Sequence, residues 1–255
     1  VSGDIRTVLQ FVVGAVSFFE VKRISKNFGG LMAVNGVSFQ VERGEIFGLI
    51  GPNGSGKTTI FNLINQYFPL NSGDILLKGR SLKGLKTHQI CHLGIGRTFQ
   101  VVKPLKRMTV LDNVIASALC RASSFKEAES LALESLEFCD LLSQKGKSAR
   151  SLSIAARKRL EISRALATKP ELLLLDETAA GLNPAELDEA IALIQRILRR
   201  GVTIIVVEHI MKVVMSISNR IHAINYGETI AEGTPEEVAS NREVIEAYLG
   251  KEAYT

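Results

Sequence analysis

Residues 51–58 read Gly51-Pro52-Asn53-Gly54-Ser55-Gly56-Lys57-Thr58 and fit the spacing G-x-x-x-x-G-K-[ST]. Gly51, Gly54 and Gly56 let the backbone turn sharply and aim its N–H groups inward at phosphate oxygens. A helix opening at Lys57 would add about half a positive charge at that end. In such a cradle Lys57 reaches the β- and γ-phosphates of a nucleotide, and the Thr58 hydroxyl ligates Mg²⁺. These eight residues, with Thr59 after them, are candidates for nucleotide contact. The ordinary alternative is a glycine-rich strand-to-helix turn without a ligand. Eight matched positions, with an apolar run before and an amphipathic pattern after, disfavour it.

A second half-site follows. Leu172–Leu175 bury a strand and deliver Asp176 and Glu177 at its carboxyl end, where α/β sheets bind ligands. Asp176 would hold Mg²⁺ through water, and Glu177 would polarise an attacking water. His209 closes the next apolar run, TIIVVEHI. A lone histidine there is commonly a structural residue. If its strand neighbours the one ending in Asp176, it faces the same phosphates and can bond the γ-phosphate or position the water. Gln100, in GRTFQ (96–100), is a further candidate from spacing alone. His88, Cys91 and His92 have a metal-like i, i+4 spacing, but no further ligand cluster accompanies them, which disfavours zinc.

These residues need elements to hold them. Residues 18–28 and 33–42 alternate apolar and polar, as half-buried strands do. EIFGLI (45–50) reads as a buried strand. A helix after the glycine-rich turn carries Ile60, Leu63, Ile64 and Tyr67 on one face and is limited by Pro69. DILLKG (74–79) is another strand. From about 86 to 160 the pattern is helical, with capping-box spacing at Ser124 and Glu127 and an inner face of Ala128, Leu131, Ala132, Leu136 and Cys139. Strands return at 171–176, 203–208 and 221–226, the first two separated by a helix from Pro184 to about Gly201. That alternation predicts an α/β fold with a mostly parallel core sheet, an antiparallel β portion before it and an inserted helical lobe.

The chain has 255 residues, 46% of them hydrophobic, which suits one large domain with a smaller inserted lobe. Three widely spaced cysteines do not read as a disulfide framework. A formal net charge of +5 is compatible with phosphate-bearing partners. The basic residues are dispersed, and the groups Arg157-Lys158-Arg159 and Arg196, Arg199, Arg200 read as solvated helix faces. VLQFVVGAVSFF (8–19) is a twelve-residue apolar stretch, shorter than the about 20 residues that span a bilayer. Residues 1–16 are expected to form an extension outside a main domain at 17–255. With no other stretch able to cross a membrane, work at a membrane would require docking on other subunits.

A glycine-rich loop, a glutamine, an LS-plus-helix segment, LLLLDE and a histidine, in that order, resemble the ATP-binding cassette (ABC) ATPases over about residues 18–250. RTFQ, KRLEI (158–162), RALA (164–167), AAGLNPAE (179–186), EH (208–209) and IAEGTPEEV (230–238) are most similar to the ATP-binding subunits of branched-chain amino-acid importers, with relatives for urea or short amides. The resemblance implies the P-loop NTPase fold, with ATP and Mg²⁺ as cofactors. It implies that Phe28, in NFGG, stacks on adenine, where the alternative is a core Phe at a strand end. It implies that Gln100 contacts Mg²⁺ or water and reports the site's state. Gly181-Leu182-Asn183 would cross a dimer interface, His209 would be the switch histidine, and 86–160 would dock on membrane permease subunits. The expected partners are a second ABC ATPase subunit, in a heterodimer or a homodimer, those permeases and, indirectly, a solute-binding protein, with no nucleic acid. The expected place is the cytoplasmic face of the cell membrane.

One segment departs from the family. Leu152-Ser153-Ile154-Ala155-Ala156 stands where the signature reads LSGGQ, or LSYGQ in the subgroup. There the helix start holds the γ-phosphate of ATP bound to the opposite subunit. Ser153 remains an N-cap candidate and nucleotide contact. A Cβ at Ala155 would hold the backbone away from phosphate or forbid a positive φ. The family's DEP also reads Asp176-Glu177-Thr178, which would alter loop stiffness only. These departures suggest an asymmetric pair of sites, with a tolerated Ala155 as the alternative, or a regulatory or structural subunit that hydrolyses little. A soluble ABC ATPase acting on ribosomes or DNA is disfavoured by a length that allows neither a second cassette nor long coiled-coil insertions. A P-loop kinase would leave 86–160 unexplained.

Overall fold

A computed structural model describes residues 17–99 and 104–249; the expected extension at 1–16 and Gln100 lie outside them. Along the chain the elements are β1 (Phe19–Phe28), β2 (Leu31–Val41), β3 (Ile46–Ile50), α1 (Lys57–Ile64), β4 (Ser72–Leu77), β5 (Arg80–Ser81), α2 (Thr87–His92) and β6 (Ile95–Arg97). Next come α3 (Val110–Ala118), α4 (Phe125–Phe138), α5 (Ile154–Leu166), β7 (Leu172–Asp176) and α6 (Pro184–Arg199). The chain continues through β8 (Thr203–Val207), α7 (Met211–Ile217), β9 (Arg220–Asn225), β10 (Glu228–Gly233), α8 (Pro235–Ala239) and α9 (Arg242–Leu249).

The continuous apolar runs become the strands buried on both faces: every residue of β3, β7 and β8 is buried. They lie inside a six-stranded sheet of order β10-β9-β3-β8-β7-β6, parallel except for β10 at one edge. The alternating runs become β1 and β2, which pair antiparallel in a four-stranded sheet of order β2-β1-β4-β5. The inner face of that sheet (Phe19, Val21, Ile24, Val34) packs with Ile60, Phe61 and Leu63 of α1 and with Phe47 and Leu49 of β3 in one apolar cluster. At about 1.5–3 kcal/mol for each fully buried large apolar side chain, these contacts dominate the cohesion of the loop's surroundings.

Three expectations need correction. The helix after the glycine-rich turn ends at Ile64, and Tyr67 is exposed rather than on its inner face. Gln66 takes a left-handed φ of 52°, which breaks the helical path before Tyr67 is reached. The span from 86 is not helical throughout, because Ile95–Arg97 forms the edge strand β6, registered on Leu172, Leu173 and Leu174 of β7. At the start of α4 only half of the capping box forms. Ser124 Oγ accepts from Glu127 N, while the Glu127 carboxylate turns to Ser123 N–H and Oγ–H.

Beyond β6, α3, α4 and the first half of α5 bury Val114, Ala118, Ala132, Leu136, Ala156 and Leu160 in a separate cluster. The second half of α5 puts Ile162 and Ala165 into the cluster beneath β7, β8 and α6. Helix α5 is therefore a rigid connection between helical material and core sheet. No helix among the described residues is long and apolar enough to cross a membrane.

Candidate functional site

Strand register gathers the site. Leu49 of β3 and Asp176 of β7 both pair with Val207 of β8, so the three lie in one row across the sheet. Gly51, His209 and Glu177 follow within two residues of that row, at the carboxyl ends of three adjacent strands. This is the edge at which a parallel sheet receives a ligand.

The loop needs its glycines for contact reasons as well as conformation. Gly56 has a φ of 110°, and a Cβ there would lie 2.6 Å from Ala33 O of β2. A Cβ on Gly51 would lie 2.1 Å from Ile224 O of β9. The turn after β9 braces the other side, with Gly227 N donating to Ser55 O at 2.9 Å. Helix α1 starts at Lys57. The Lys57 ammonium lies within the loop and donates to Gly51 O at 2.6 Å and Pro52 O at 2.9 Å. Burial lowers its pKa from the usual lysine value, while the Glu177 and Asp176 carboxylates act the other way.

Asp176 is 1% exposed, and its Oδ2 accepts from Arg97 Nη2 at 2.9 Å. Arg97 also donates to Asn62 Oδ1 at 2.7 Å, and Asp176 N donates to Thr98 Oγ1 at 3.0 Å. Burial raises the Asp176 pKa, and the Arg97 guanidinium opposes the rise. Asp176 Oδ1 is buried and has no hydrogen-bond partner. Asp176, Arg97 and Thr58 line one cleft of about 670 Å³. A carboxylate oxygen awaiting a partner, with a hydroxyl in the same cleft, is a hard-oxygen donor set of the kind Mg²⁺ takes.

Glu177 sits in the left-handed region at φ 49°, an uncommon conformation for a residue with a Cβ. Its backbone is held at both ends: its N donates to Val207 O at 2.9 Å, and its O accepts from Lys158 Nζ at 2.7 Å. His209 Nδ1 lies 3.7 Å from Glu177 Oε2, which brings the two predicted residues together. Glu208 is fully buried, and its Oε1 accepts from Ala179 N at 2.8 Å and Thr178 Oγ1 at 3.2 Å. Thr178 thus makes a side-chain hydrogen bond unavailable to proline, which fixes the loop after Glu177 as well as changing its stiffness.

At the departed signature, α5 forms from Ile154 and is capped by Ser153 Oγ, which accepts from Ala156 N at 3.2 Å. Residues 154–156 have no positive φ, so Ala155 meets no conformational conflict here. What remains of the expected obstacle is the volume of its Cβ and the exposed Ile154 side chain beside it. Phe28 is 41% exposed at its strand end, with an edge-to-face contact to Phe68 and Lys26 over its ring, so it is not a core residue.

Several residues with structural roles at or near the site were not identified from the sequence. Arg97 stands inside GRTFQ yet drew no role. Lys158 belongs to a basic run read as solvated, but it reaches the Glu177 carbonyl. Arg159, Arg196 and Arg200 also pair with acids, with Asp140, Glu189 and Glu134 among their partners. Glu208 and Glu161 are buried carboxylates within quoted motifs. Glu161 of α5 accepts from Phe99 N at 3.1 Å, and burial pushes its pKa up to about 7. Only Glu208 carried a local signal, a charged residue directly after the apolar run 204–207.

Comparison with known proteins supports the same reading. Residues 34–180 match the family model described as ABC transporter, and 228–254 match that of the branched-chain amino acid ATP-binding cassette transporter. The high-affinity branched-chain amino acid transport ATP-binding protein LivG of Salmonella typhimurium is 43% identical, the match covering 91% of this chain and 97% of LivG. The ADP conformation of MJ1267, an ATP-binding cassette of an ABC transporter, is similar with a TM-score of 0.83 and 30% identity, covering 92% of this chain and 99% of that one. A dimeric post-hydrolysis state of the ATP-binding cassette MJ0796 bound to ADP and Pi is similar with a TM-score of 0.77 and 25% identity, covering 85% and 98%. With its phosphate loop, paired carboxylates and histidine converging at one sheet edge, the chain belongs to the ABC transporter family as an ATP-binding, ATP-hydrolysing subunit.

Proposed function

We propose that this chain energises the import of branched-chain amino acids, and that its own site is the hydrolytic one of an asymmetric pair. The carrying observation is the buried, unpartnered Asp176 Oδ1 in a cleft shared with Thr58, on the register row of Leu49, two residues before Lys57's loop begins at Gly51. Lys57 leaves the loop carbonyls to contact the β- and γ-phosphates of ATP, whose other oxygens take the loop N–H groups. Residues 51–59 hold the phosphates, and Phe28 stacks on adenine from its exposed strand end. Thr58 and Asp176, with Gln100, would hold Mg²⁺, which when bound neutralises phosphate charge. Glu177 orients and polarises the attacking water, and His209 beside it bonds the γ-phosphate. Catalysis is then mainly electrostatic and positional.

The second cassette is a different ATPase subunit whose signature faces this chain's ATP. This chain's Ser153 helix start faces the partner's ATP, which is held and hydrolysed slowly because Ile154-Ala155-Ala156 places a Cβ where the backbone must approach phosphate. The pair docks on permease subunits at the cytoplasmic face of the membrane, and a solute-binding protein supplies the substrate. The dimeric MJ0796 and the name of LivG support pairing and substrate class, respectively.

The test is uptake of radiolabelled leucine by vesicles holding the complete transporter. We expect ATP-dependent uptake that Glu177→Gln in this chain lowers by about 100-fold or more, as loss of a water-positioning group does. Urea uptake without leucine uptake would overturn the substrate assignment. Undiminished turnover in the variant would overturn the assignment of the hydrolytic site to this chain.

A further inference from the structure

Helix α9 lies outside the part of the chain matched by the general ABC transporter family, within the segment matched by the branched-chain family model. Val244, on its first turn, is buried with Ile50, Ala223 and Val238. Ile50 is the last residue before the phosphate loop. One turn on, at i+4, Tyr248 lies on the same helix face. Its phenol oxygen accepts a hydrogen bond from Gly51 N at 2.8 Å. Gly51 O accepts from Lys57 Nζ at 2.6 Å. The first residue of the phosphate loop is thus held by the C-terminal helix through its N–H and by the phosphate-binding lysine through its carbonyl.

We propose that Tyr248 is a positioning residue for the phosphate loop, acting through Gly51 on Lys57, so that docking of the C-terminal helix sets nucleotide affinity. The inference rests on the reading of Lys57 as a phosphate ligand. Gly51 is tightly confined, since even a methyl group would strike Ile224 O. A small displacement of its peptide therefore shifts the loop as a whole. Freed of its phenol partner, the Gly51 N–H is left against a phenyl edge, and the Gly51 carbonyl that Lys57 must release on binding phosphate is no longer fixed in direction.

The test is Tyr248→Phe in the full chain, which keeps the ring and its packing and removes only the oxygen. Affinity for a fluorescent ATP analogue is measured by titration, KM and kcat for ATP in the assembled transporter, and the Gly51 amide by ¹⁵N–¹H NMR. We expect affinity to fall and KM to rise by about fivefold, the worth of one net hydrogen bond, with kcat within about twofold. The Gly51 amide proton should move upfield, and the variant should remain folded, with its unfolding midpoint lowered by no more than the loss of one hydrogen bond accounts for. An unchanged affinity in Tyr248→Phe, with wild-type protein binding normally, would overturn the proposal alone. Failure of the wild-type protein to bind the analogue would overturn the reading of the loop, and this inference with it.

Discussion

The ammonium of Lys158 donates a 2.7 Å hydrogen bond to the backbone carbonyl of Glu177. The contact joins α5, whose first turn carries the altered signature, to the residue that follows Asp176. Glu177 is in a left-handed conformation, and its N–H is held by Val207 O. The strained residue is therefore gripped on both sides, from β8 and from α5. Lys158 lies four residues after Ile154, the first residue of α5, so a change at the start of that helix has a direct route to the Glu177 backbone.

Removing that grip should slow turnover more than it weakens binding. Lys158→Met keeps the aliphatic stem and deletes the donor. A hydrogen bond to a charged donor contributes about 1.5–3 kcal/mol, so kcat should fall by roughly 10- to 100-fold with KM for ATP little changed. Steady-state ATPase assays of the assembled complex check this. A rise in KM at constant kcat would place Lys158 in binding rather than in orienting Glu177.

The Arg97–Asp176 pair bears on stability and, under the proposed role of Asp176, on Mg²⁺ binding. Both side chains are nearly inaccessible, at 7% and 1% exposed. Arg97→Ala leaves a buried carboxylate without its partner, a loss of about 3–5 kcal/mol. Burial already raises the Asp176 pKa, and without Arg97 it rises further. Urea unfolding should show the loss, and Mg²⁺-dependent ATP binding should weaken most at the acid end of the pH range, where the carboxyl protonates. A midpoint unchanged from wild type would contradict the role given to the pair.

Which of this could be read from residue order alone? The turn between β3 and α1 and the buried strand ending at Asp176 were legible because their patterns are local. Spacing dictates which groups converge, and a continuous apolar run dictates a doubly buried strand. Adjacency of β7 and β8 followed from the same runs. By contrast, β6 has three residues, too few to show a period of two, and it is a strand only because Leu172–Leu174 offer an edge. Arg97, Lys158 and Tyr248 act through contacts 79, 19 and 197 residues away, and a side chain's charge or ring does not say which backbone it will meet. Ala155 could be flagged from its type, but its ordinary helical φ could not.

Glu161 should impose a pH dependence on stability. Its carboxyl is pushed up to about 7, mainly by burial, with Asp176 adding to the rise and the Phe99 N–H, Arg164 and Lys158 opposing it. The folded state therefore holds the proton more tightly than the unfolded chain. Stability falls as pH rises from about 4.5 through about 7, by an order of 3 kcal/mol in full. Glu161→Gln keeps an acceptor for Phe99 N and does not titrate. The variant should melt near the wild-type temperature at pH 5 and above it at pH 8. A difference independent of pH would contradict this assignment.

Ala155→Gly addresses the donated half of the site. No φ change is needed, and the helix loses about 1 kcal/mol at most from propensity. Turnover of the assembled complex should increase, by up to about tenfold if one charge-assisted hydrogen bond to the facing phosphate is regained. Unchanged turnover would mean that the Cβ is tolerated, and the asymmetry would lose its physical basis.

The most direct test of the account is the mass of purified Glu177→Gln protein, with and without Mg-ATP, by light scattering after sizing, with ATP binding confirmed separately. The account predicts a monomer that binds ATP, because an intact phosphate loop meets a signature unable to close on a second copy of itself. An ATP-dependent dimer would show that the Ile154-Ala155-Ala156 turn embraces a γ-phosphate, and would contradict the asymmetric pairing on which the proposed mechanism rests.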